Sequence, residues 1–195
     1  MDSKKEFLEA KRNALISLEK ACNENQVDEG ILPIIKIINE FEDYYTSSSC
    51  AGRIVLLEIP DIGDKKNAKF LGKWHKSIRP DEINISAKKA RKGQLWLLAQ
   101  SPIIHVTSIN NEAADRMIKT AISCGFKNSG VKSIGKKIVV EVCSTERLDA
   151  PIGRNGLLFC NEKYLQLLVK IANDVIEKSN NKLLRFKIKL SNINI

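Results

Sequence analysis

The chain has 195 residues, of which 43% are hydrophobic and 28% charged, and its formal net charge is +9. This length suits one soluble domain with its own core, and we expect a single domain over residues 1–195. No apolar run approaches the roughly 20 residues that a membrane-spanning helix needs, and no signal peptide is recognisable. We therefore expect a cytoplasmic protein whose partner is anionic, because the positive charge disfavours a cationic one.

The charge is divided unevenly along the chain. Residues 1–43 carry 6 basic and 10 acidic side chains, a net charge of −4, and residues 44–195 carry 26 basic and 13 acidic side chains, a net charge of +13. Such segregation is typical of nucleic-acid binding, and a lysine-rich solvated surface is the alternative. The densest basic stretch is residues 65–92, and a second group comprises Lys178, Lys182, Arg185, Lys187 and Lys189.

Two helices are predicted before the first strand. A capping box at Ser3 and Glu6 precedes apolar residues at helical spacing, which predicts a helix over residues 4–22. Pro33 suits the first turn of a helix, so a second helix is predicted over residues 32–41.

Strands and further helices are predicted in the rest of the chain. Runs rich in β-branched and aromatic residues indicate strands, and caps such as Asn110 or Asn111, Gly125 and Asn161 indicate helix ends. The predicted strands cover residues 44–46, 53–59, 69–77 and 94–106, with a hairpin over 131–142, and the predicted helices cover 81–92, 110–124 and 161–190. The predicted organisation is an N-terminal helical segment over 1–43, a core of strands and helices over 44–160 and a C-terminal helix over 161–190.

These elements predict an α+β fold with a mixed β-sheet, open or partly closed into a barrel, packed with helices. A Rossmann fold is not expected, because the chain has no Gly-x-Gly-x-x-Gly sequence, and it has no P-loop. The five cysteines include no Cys-x-x-Cys pair, and the two histidines, His75 and His105, lie thirty residues apart. We therefore expect no metal site.

Three polar segments are candidates for binding a ligand. Residues 46–53 begin with four small hydroxyl residues and end in glycine and arginine, which is typical of an anion-binding loop. A polar turn is the alternative. Residues 124–130 hold Lys, Asn and Ser between two glycines, and residues 144–151 are dense in paired charges. His105 lies in an apolar run, where a hydrogen-bonded core histidine is the alternative to a catalytic one.

Together, these segments resemble the tRNA wybutosine-synthesising protein 3 family, of the archaeal stand-alone type. The resemblance covers nearly the whole chain, and its most specific strings are Ser-Ser-Cys-x-Gly-Arg and Gly-Phe-Lys-Asn-Ser-Gly. The matching segments, in order, are Val27-Asp28-Glu29, residues 45–54, a strand ending in His75, residues 102–106, residues 125–130, residues 142–151 and the last helix.

The resemblance implies an S-adenosylmethionine-dependent N-methyltransferase without a Rossmann fold. Its substrate would be the tricyclic wybutosine precursor base, 3′ of the anticodon in phenylalanine tRNA, and its partner the anticodon stem-loop. We expect catalytic roles for His75, His105 and Asp149, because each can take up a proton. The residues expected at the cofactor are Ser48, Ser49, Cys50, Gly52, Arg53, Asn128, Ser129 and Gly130. Those expected at the nucleic acid are Lys73, Trp74, Lys76, Arg79, Lys88, Lys89, Arg91 and Lys127.

Two other functions remain open at this point. A non-catalytic RNA-binding module would use the same basic face without a methyl donor. A small enzyme acting on a phosphate ligand would use the serine-rich segment instead. Binding of S-adenosylmethionine separates both from the methyltransferase.

Overall fold

The computed structural model describes residues 3–64 and 66–192, except for the side chain of Ser3. The capping box predicted at Ser3, and Lys65 of the basic stretch, lie outside this description. Contacts within the chain divide it into two compact units. The first unit comprises residues 3–51, 102–145 and 180–192, and the second comprises 52–101 and 146–179, without residue 65. A single folding domain stays a prediction.

Two helices precede the first strand, and three further helices separate or follow groups of strands. The helices are α1 (Ser3–Asn23), α2 (Leu32–Glu40), α3 (Pro80–Ala87), α4 (Asn111–Ser123) and α5 (Glu162–Ser191). The strands are β1 (Tyr44–Cys50), β2 (Arg53–Ile59), β3 (Lys69–Trp74), β4 (Gln94–Gln100), β5 (Ile103–Ser108), β6 (Gly130–Ser133), β7 (Ile138–Cys143), β8 (Arg147–Arg154) and β9 (Leu157–Leu158). None of the described helices is both long enough and apolar enough to cross a membrane.

The first unit contains a four-stranded sheet of order β1-β5-β7-β6. One face of this sheet packs against α2, α4 and the last part of α5, and the fully buried rings of Phe126 and Phe186 meet in this core at 5.5 Å between centroids. Helix α4 begins as predicted, because the Asn110 side chain accepts a hydrogen bond from the backbone of Ala113 at 2.8 Å. It also ends as predicted, because Gly125 adopts a φ of +101°.

The second unit contains a five-stranded sheet of order β3-β2-β4-β8-β9. Alternate residues of these strands, such as Ile54, Leu95 and Leu97, form a core with α3 and the part of α5 up to Ser179. The Asn161 side chain caps α5 by accepting a hydrogen bond from the backbone of residue 164 at 2.9 Å, as predicted.

The predicted α+β class is confirmed, and one of the two sheets is curled into a half-barrel. The sequence predicts a mixed sheet, but every strand pair of the described residues is antiparallel. Helices α3 and α4 each connect two strands that run in the same direction, and one antiparallel strand separates each such pair. In this split βαβ arrangement, the two strands that a helix connects are parallel to each other but are not adjacent in the sheet.

Two segments predicted as loops are strands in the structure. The polar residues 47–50 continue β1, because Ser49 and Cys50 pair with β5 beyond an irregularity at residues 47 and 48. The charged residues 147–151 belong to β8, which pairs with β4 over seven positions. In both cases the partner strand provides the backbone hydrogen bonds, and this pairing outweighs the weak local strand preference of the polar side chains. The helix predicted over 81–92 ends earlier, at Ala87.

Candidate active site

Strand β1 carries the serine run and is irregular at its centre. The register of β1 against β5 shifts between Thr46 and Ser49. Two residues of β1, Ser47 and Ser48, therefore lie opposite a single residue of β5, His105. Such a bulge redirects side chains and is common beside active sites. Here it places the Ser48 hydroxyl against the imidazole of His105.

Ser48, His105 and Glu141 form a hydrogen-bonded relay across three strands of the first unit. The Oγ atom of Ser48 lies 2.7 Å from Nδ1 of His105, and Nε2 of His105 lies 2.8 Å from Oε2 of Glu141. His105 and Glu141 are direct cross-strand partners on β5 and β7, which fixes their side chains on one face. Lys132 of β6 adds an ion pair to the other carboxylate oxygen, at 3.2 Å.

The relay favours one tautomer of the neutral histidine ring. The hydrogen bond from His105, followed by the hydrogen bond from Lys132, lowers the pKa of Glu141 against the opposing effect of burial. The ionised carboxylate only accepts hydrogen bonds, so Nε2 of His105 carries a proton. In the neutral ring Nδ1 is then an acceptor, and the Ser48 hydroxyl donates to it. This arrangement can take a proton from a group placed at Ser48.

A cavity of about 420 Å³ lies beside the serine run, within the first unit. Its volume falls in the range of small-molecule sites. The hydroxyl of Ser49 is buried and has no hydrogen-bond partner among the described residues, and Ser49 lines this cavity. Ser48 also lines it, so one residue belongs to both the cavity and the relay. The other lining residues are Ala14, Ser17, Leu18, Ala21, Gln26, Val27, Ile35, Thr46 and Ser47.

The segment that follows α4 is fixed to β7 by its own polar groups. The Ser129 hydroxyl donates to the Phe126 carbonyl at 2.7 Å and accepts from the Cys143 backbone at 3.2 Å. The backbone of Asn128 donates to the Cys143 carbonyl at 3.2 Å. Through these hydrogen bonds Ser129 connects the segment after α4 to β7, a structural role that the sequence does not predict. Open space surrounds the Cα atom of Gly130, where a side chain would meet no neighbour within 4 Å.

Two of the predicted cofactor residues, Gly52 and Arg53, begin the second unit. Gly52 is buried with a φ of +91°, a conformation that other residues rarely adopt. The Nε atom of Arg53 donates to the Gln100 side chain at 3.0 Å, and the guanidinium lies 5.6 Å from the ring centroid of Phe70. The cofactor roles of Gly52, Arg53, Cys50, Asn128, Ser129 and Gly130 stay predictions.

The three predicted catalytic residues are distributed over both units. His105 is the residue of the relay in the first unit. His75 lies in the second unit, where its Nδ1 is 2.9 Å from the Gly52 carbonyl, and Asp149 of β8 forms an ion pair there with Arg147. His105 joins the Ser48 hydroxyl to the Glu141 carboxylate.

Most of the predicted nucleic-acid residues are exposed. Arg79 pairs with Asp81 at 3.5 Å, and Lys89 donates to the Leu71 carbonyl at 3.3 Å. Trp74 differs from the rest, because it is partly buried against the core of the second unit. Lys182 of the C-terminal basic group is only 8% exposed and donates to the Ser144 hydroxyl, so this lysine does not reach an RNA backbone. The exposed residues are Lys73, Lys76, Arg79, Lys88, Lys89, Arg91 and Lys127.

Glu141 and Lys132 are the site residues that the sequence does not single out. The signal for Glu141 is a lone carboxylate in the otherwise apolar strand β7. An ionisable residue inside an apolar strand needs a partner, but the sequence does not say which residue of β5 lies opposite.

The relay therefore lies at the edge of a ligand-sized cavity within the first unit. The family model described as Methyltransferase TYW3 matches residues 3–192, and the chain therefore belongs to this methyltransferase family. The resemblance predicted from the sequence is confirmed. The protein is an enzyme that transfers a methyl group, and it requires a methyl donor.

Relatives match the chain over nearly its whole length. A protein of Pyrococcus horikoshii named tRNA(Phe) 7-((3-amino-3-carboxypropyl)-4-demethylwyosine(37)-N(4))-methyltransferase 1 is 48% identical, over 96% of each chain. A Methanocaldococcus jannaschii protein, whose name is the same without the final number, is 38% identical over 96% of this chain and 98% of its own.

Solved structures share the fold. A Pyrococcus horikoshii protein superposes with a TM-score of 0.93 at 48% identity, covering 97% of this chain and 98% of that one. A hypothetical protein from Aeropyrum pernix superposes with a TM-score of 0.72 at 27% identity, covering 84% of this chain and 96% of that one.

Proposed function

We propose that the protein is the S-adenosylmethionine-dependent enzyme that methylates N4 of the wybutosine precursor base at position 37 of phenylalanine tRNA. The names of relatives that align from end to end support the substrate and the nitrogen. The relay of Ser48, His105 and Glu141 is the observation that carries the chemistry. The alternative, a non-catalytic RNA-binding module, is not favoured, because it has no use for a proton-accepting relay.

The cavity of the first unit fits the methyl donor. S-Adenosylmethionine supplies a methyl group on a positively charged sulfur, which needs no further activation. The unpartnered buried hydroxyl of Ser49 offers a hydrogen bond that a polar ligand can complete. Ser48 and Ser49 would hold the donor from β1, and Ala14 and Ala21 would leave room on the side of α1.

The relay supplies the proton transfer that methylation requires. The attacking ring nitrogen gains a carbon and must lose its proton. The Ser48 hydroxyl would accept this proton while giving its own to Nδ1 of His105. Glu141 would stabilise the imidazolium that results, because its carboxylate already accepts from Nε2. Alignment of the reacting atoms supplies the rest of the rate.

The basic side chains would hold the RNA. The exposed lysines and arginines of the second unit carry the charge that an anticodon stem-loop backbone needs. Affinity for tRNA should therefore fall steeply with salt, with each phosphate contact adding about −0.7 to −0.9 to the log–log slope.

Labelled methyl transfer tests the function directly. Phenylalanine tRNA that carries the precursor base is isolated from a strain that lacks this protein and incubated with the purified enzyme and methyl-labelled S-adenosylmethionine. We expect label at N4 of the nucleotide at position 37 of phenylalanine tRNA, found by digestion and mass spectrometry. Label at another nucleotide, or none, would contradict the proposed substrate.

Ser49→Ala tests the place of the donor. The unliganded variant should be as stable as the wild type or more stable, because an unpaired buried hydroxyl costs about 1–3 kcal/mol. Its affinity for S-adenosylmethionine should fall roughly 10-fold, as expected for the loss of a hydrogen bond worth about 1.4 kcal/mol. Thermal unfolding and calorimetric titration give the two readouts.

Ser17→Ala is the matched control. Ser17 lines the same cavity, but its hydroxyl already donates to the Asn13 carbonyl at 2.9 Å within α1. This variant should bind the donor nearly as well as the wild type. Unchanged affinity in Ser49→Ala would place the donor elsewhere.

A further inference from the structure

The sheet of the second unit has a face directed away from its own core. Phe70, Leu57, Trp96 and Pro151 lie side by side on this face, in strands β3, β2, β4 and β8. Their neighbours along the strands point into the core, as successive strand residues must. We call the side that carries this row the outer face.

Two aromatic rings of the outer face are held in place by polar neighbours. Phe70 is 57% exposed, and the guanidinium of Arg53 lies 5.6 Å from its ring centroid. Trp96 is partly exposed, and its indole N–H donates to the Gln94 side chain at 3.0 Å. Rings fixed in this way lose little freedom when a flat ligand stacks on them.

Basic side chains surround these rings. Lys73 lies opposite Val55 on the outer face and is exposed. Arg147 lies opposite Gln100, and its side chain is 73% exposed. The second unit as a whole carries 16 basic and 10 acidic side chains, a net charge of +6. Exposed rings between cations suit a ligand that alternates flat bases with phosphates.

We propose that the outer face binds unpaired nucleotides of the RNA substrate, with bases stacked on Phe70 and Trp96. Lys73 and Arg147 contact the phosphates beside those bases. This inference rests on the proposed function, which supplies an RNA with a single-stranded loop. Stacking on a sheet face is a common mode of single-stranded RNA recognition, since every base has a flat aromatic face.

The face favours RNA over an apolar protein partner. Its apolar row is narrow, with Lys73 on β3 at one side and Arg147, which pairs with Asp149, on β8 at the other. Charge complementarity therefore points to a polyanion. Trp74, the ring expected to stack from the sequence, lies on the opposite side of β3 against the core.

The test is equilibrium binding of a fluorescein-labelled seven-nucleotide RNA to the whole protein, followed by anisotropy between 50 and 200 mM salt. Phe70→Ala should weaken binding about 5- to 150-fold, the range measured for loss of one stacked base. Its log–log salt slope should stay that of the wild type, because the ring carries no charge. Lys73→Gln should instead make the slope shallower by about 0.7 to 0.9.

Phe159→Ala is the matched control. Phe159 is 74% exposed in the same unit but follows β9, at the sheet edge opposite β3. The Phe159→Ala variant should bind the RNA with the same affinity as the wild type. Phe70→Tyr, which keeps a ring, should retain most of the affinity.

The outcomes separate this inference from the proposed function. If the wild type methylates tRNA and Phe70→Ala binds RNA as tightly as the wild type, the outer face does not bind the unpaired nucleotides. If the wild type transfers no methyl group but Phe70→Ala still loses RNA affinity, the outer face binds RNA and the proposed function is wrong. If Phe70→Ala turns a dimer into a monomer in light scattering, the face binds a second copy of the chain, and the inference is overturned.

Discussion

His105→Ala should slow methyl transfer by about 10²- to 10⁴-fold, which is the range for loss of a positioned general base. The His105 ring is the only described group that contacts both the Ser48 hydroxyl and the Glu141 carboxylate. Binding of tRNA and of S-adenosylmethionine should change little, because the imidazole acts on the proton of the attacking nitrogen. Single-turnover transfer with saturating substrates measures the loss apart from binding.

Imidazole in solution offers a sharper test of this role. The His105 side chain is 26% exposed, so a small base can enter the space left by the substitution. Added imidazole should restore part of the rate in His105→Ala and leave the wild type unaffected. The same substitution at His75 is the matched control, because it removes an imidazole whose Nδ1 is 2.9 Å from the Gly52 carbonyl and leaves Ser48, His105 and Glu141 in place. A large loss of methyl-transfer rate in His75→Ala with none in His105→Ala would identify His75, and not His105, as the general base.

Local signals predict where α2 begins and where α4 begins and ends. Pro33 at the first turn of α2, Asn110 before α4 and Gly125 after it all occupy the positions that their chemistry favours. Each of these effects acts over a few residues, so the sequence alone contains it. The class of fold follows from the same elements.

The candidate active site depends on strand register, which no local signal contains. His105 and Glu141 are thirty-six residues apart and meet only because β5 and β7 pair in one particular register. The bulge that brings Ser48 to His105 likewise depends on how β1 aligns with β5. Histidine and serine are recognisable as candidates from the sequence, but their carboxylate partner is not.

Register also explains the aromatic residues. Trp74 and Phe70 lie four residues apart on β3, and strict alternation would put both on one face. The register between β2 and β3 shifts between Leu56 and Leu57, so Phe70 reaches the outer face while Trp74 packs on the core side. The sequence favours the larger ring as the stacking residue, whereas the pairing exposes the smaller one.

Glu141→Gln should lower the rate of methyl transfer by roughly 10²- to 10⁴-fold while leaving the fold in place. The amide keeps the size of the side chain but loses the charge that stabilises the imidazolium, and it no longer fixes the tautomer of His105. In serine proteases the corresponding change of the carboxylate beside the catalytic histidine, from aspartate to asparagine, lowers kcat by about 10⁴-fold.

The pH dependence of unfolding gives a second readout. The hydrogen bond from His105 lowers the pKa of Glu141 in the folded protein, so the ionised carboxylate stabilises the fold above the ordinary glutamate pKa. That contribution is lost as the pH falls through the lowered pKa. The difference in unfolding free energy between wild type and Glu141→Gln should therefore be largest near neutral pH and shrink in acid.

Lys132→Gln provides the matched control for Glu141. Lys132 pairs with the same carboxylate, but its side chain is 60% exposed, and an exposed ion pair is worth about 0–1 kcal/mol. This variant removes a charge next to Glu141 without touching His105, so its rate should stay within a few-fold of the wild type. Equal losses in both variants would mean that the surface charge, and not the orientation of the histidine, sets the rate.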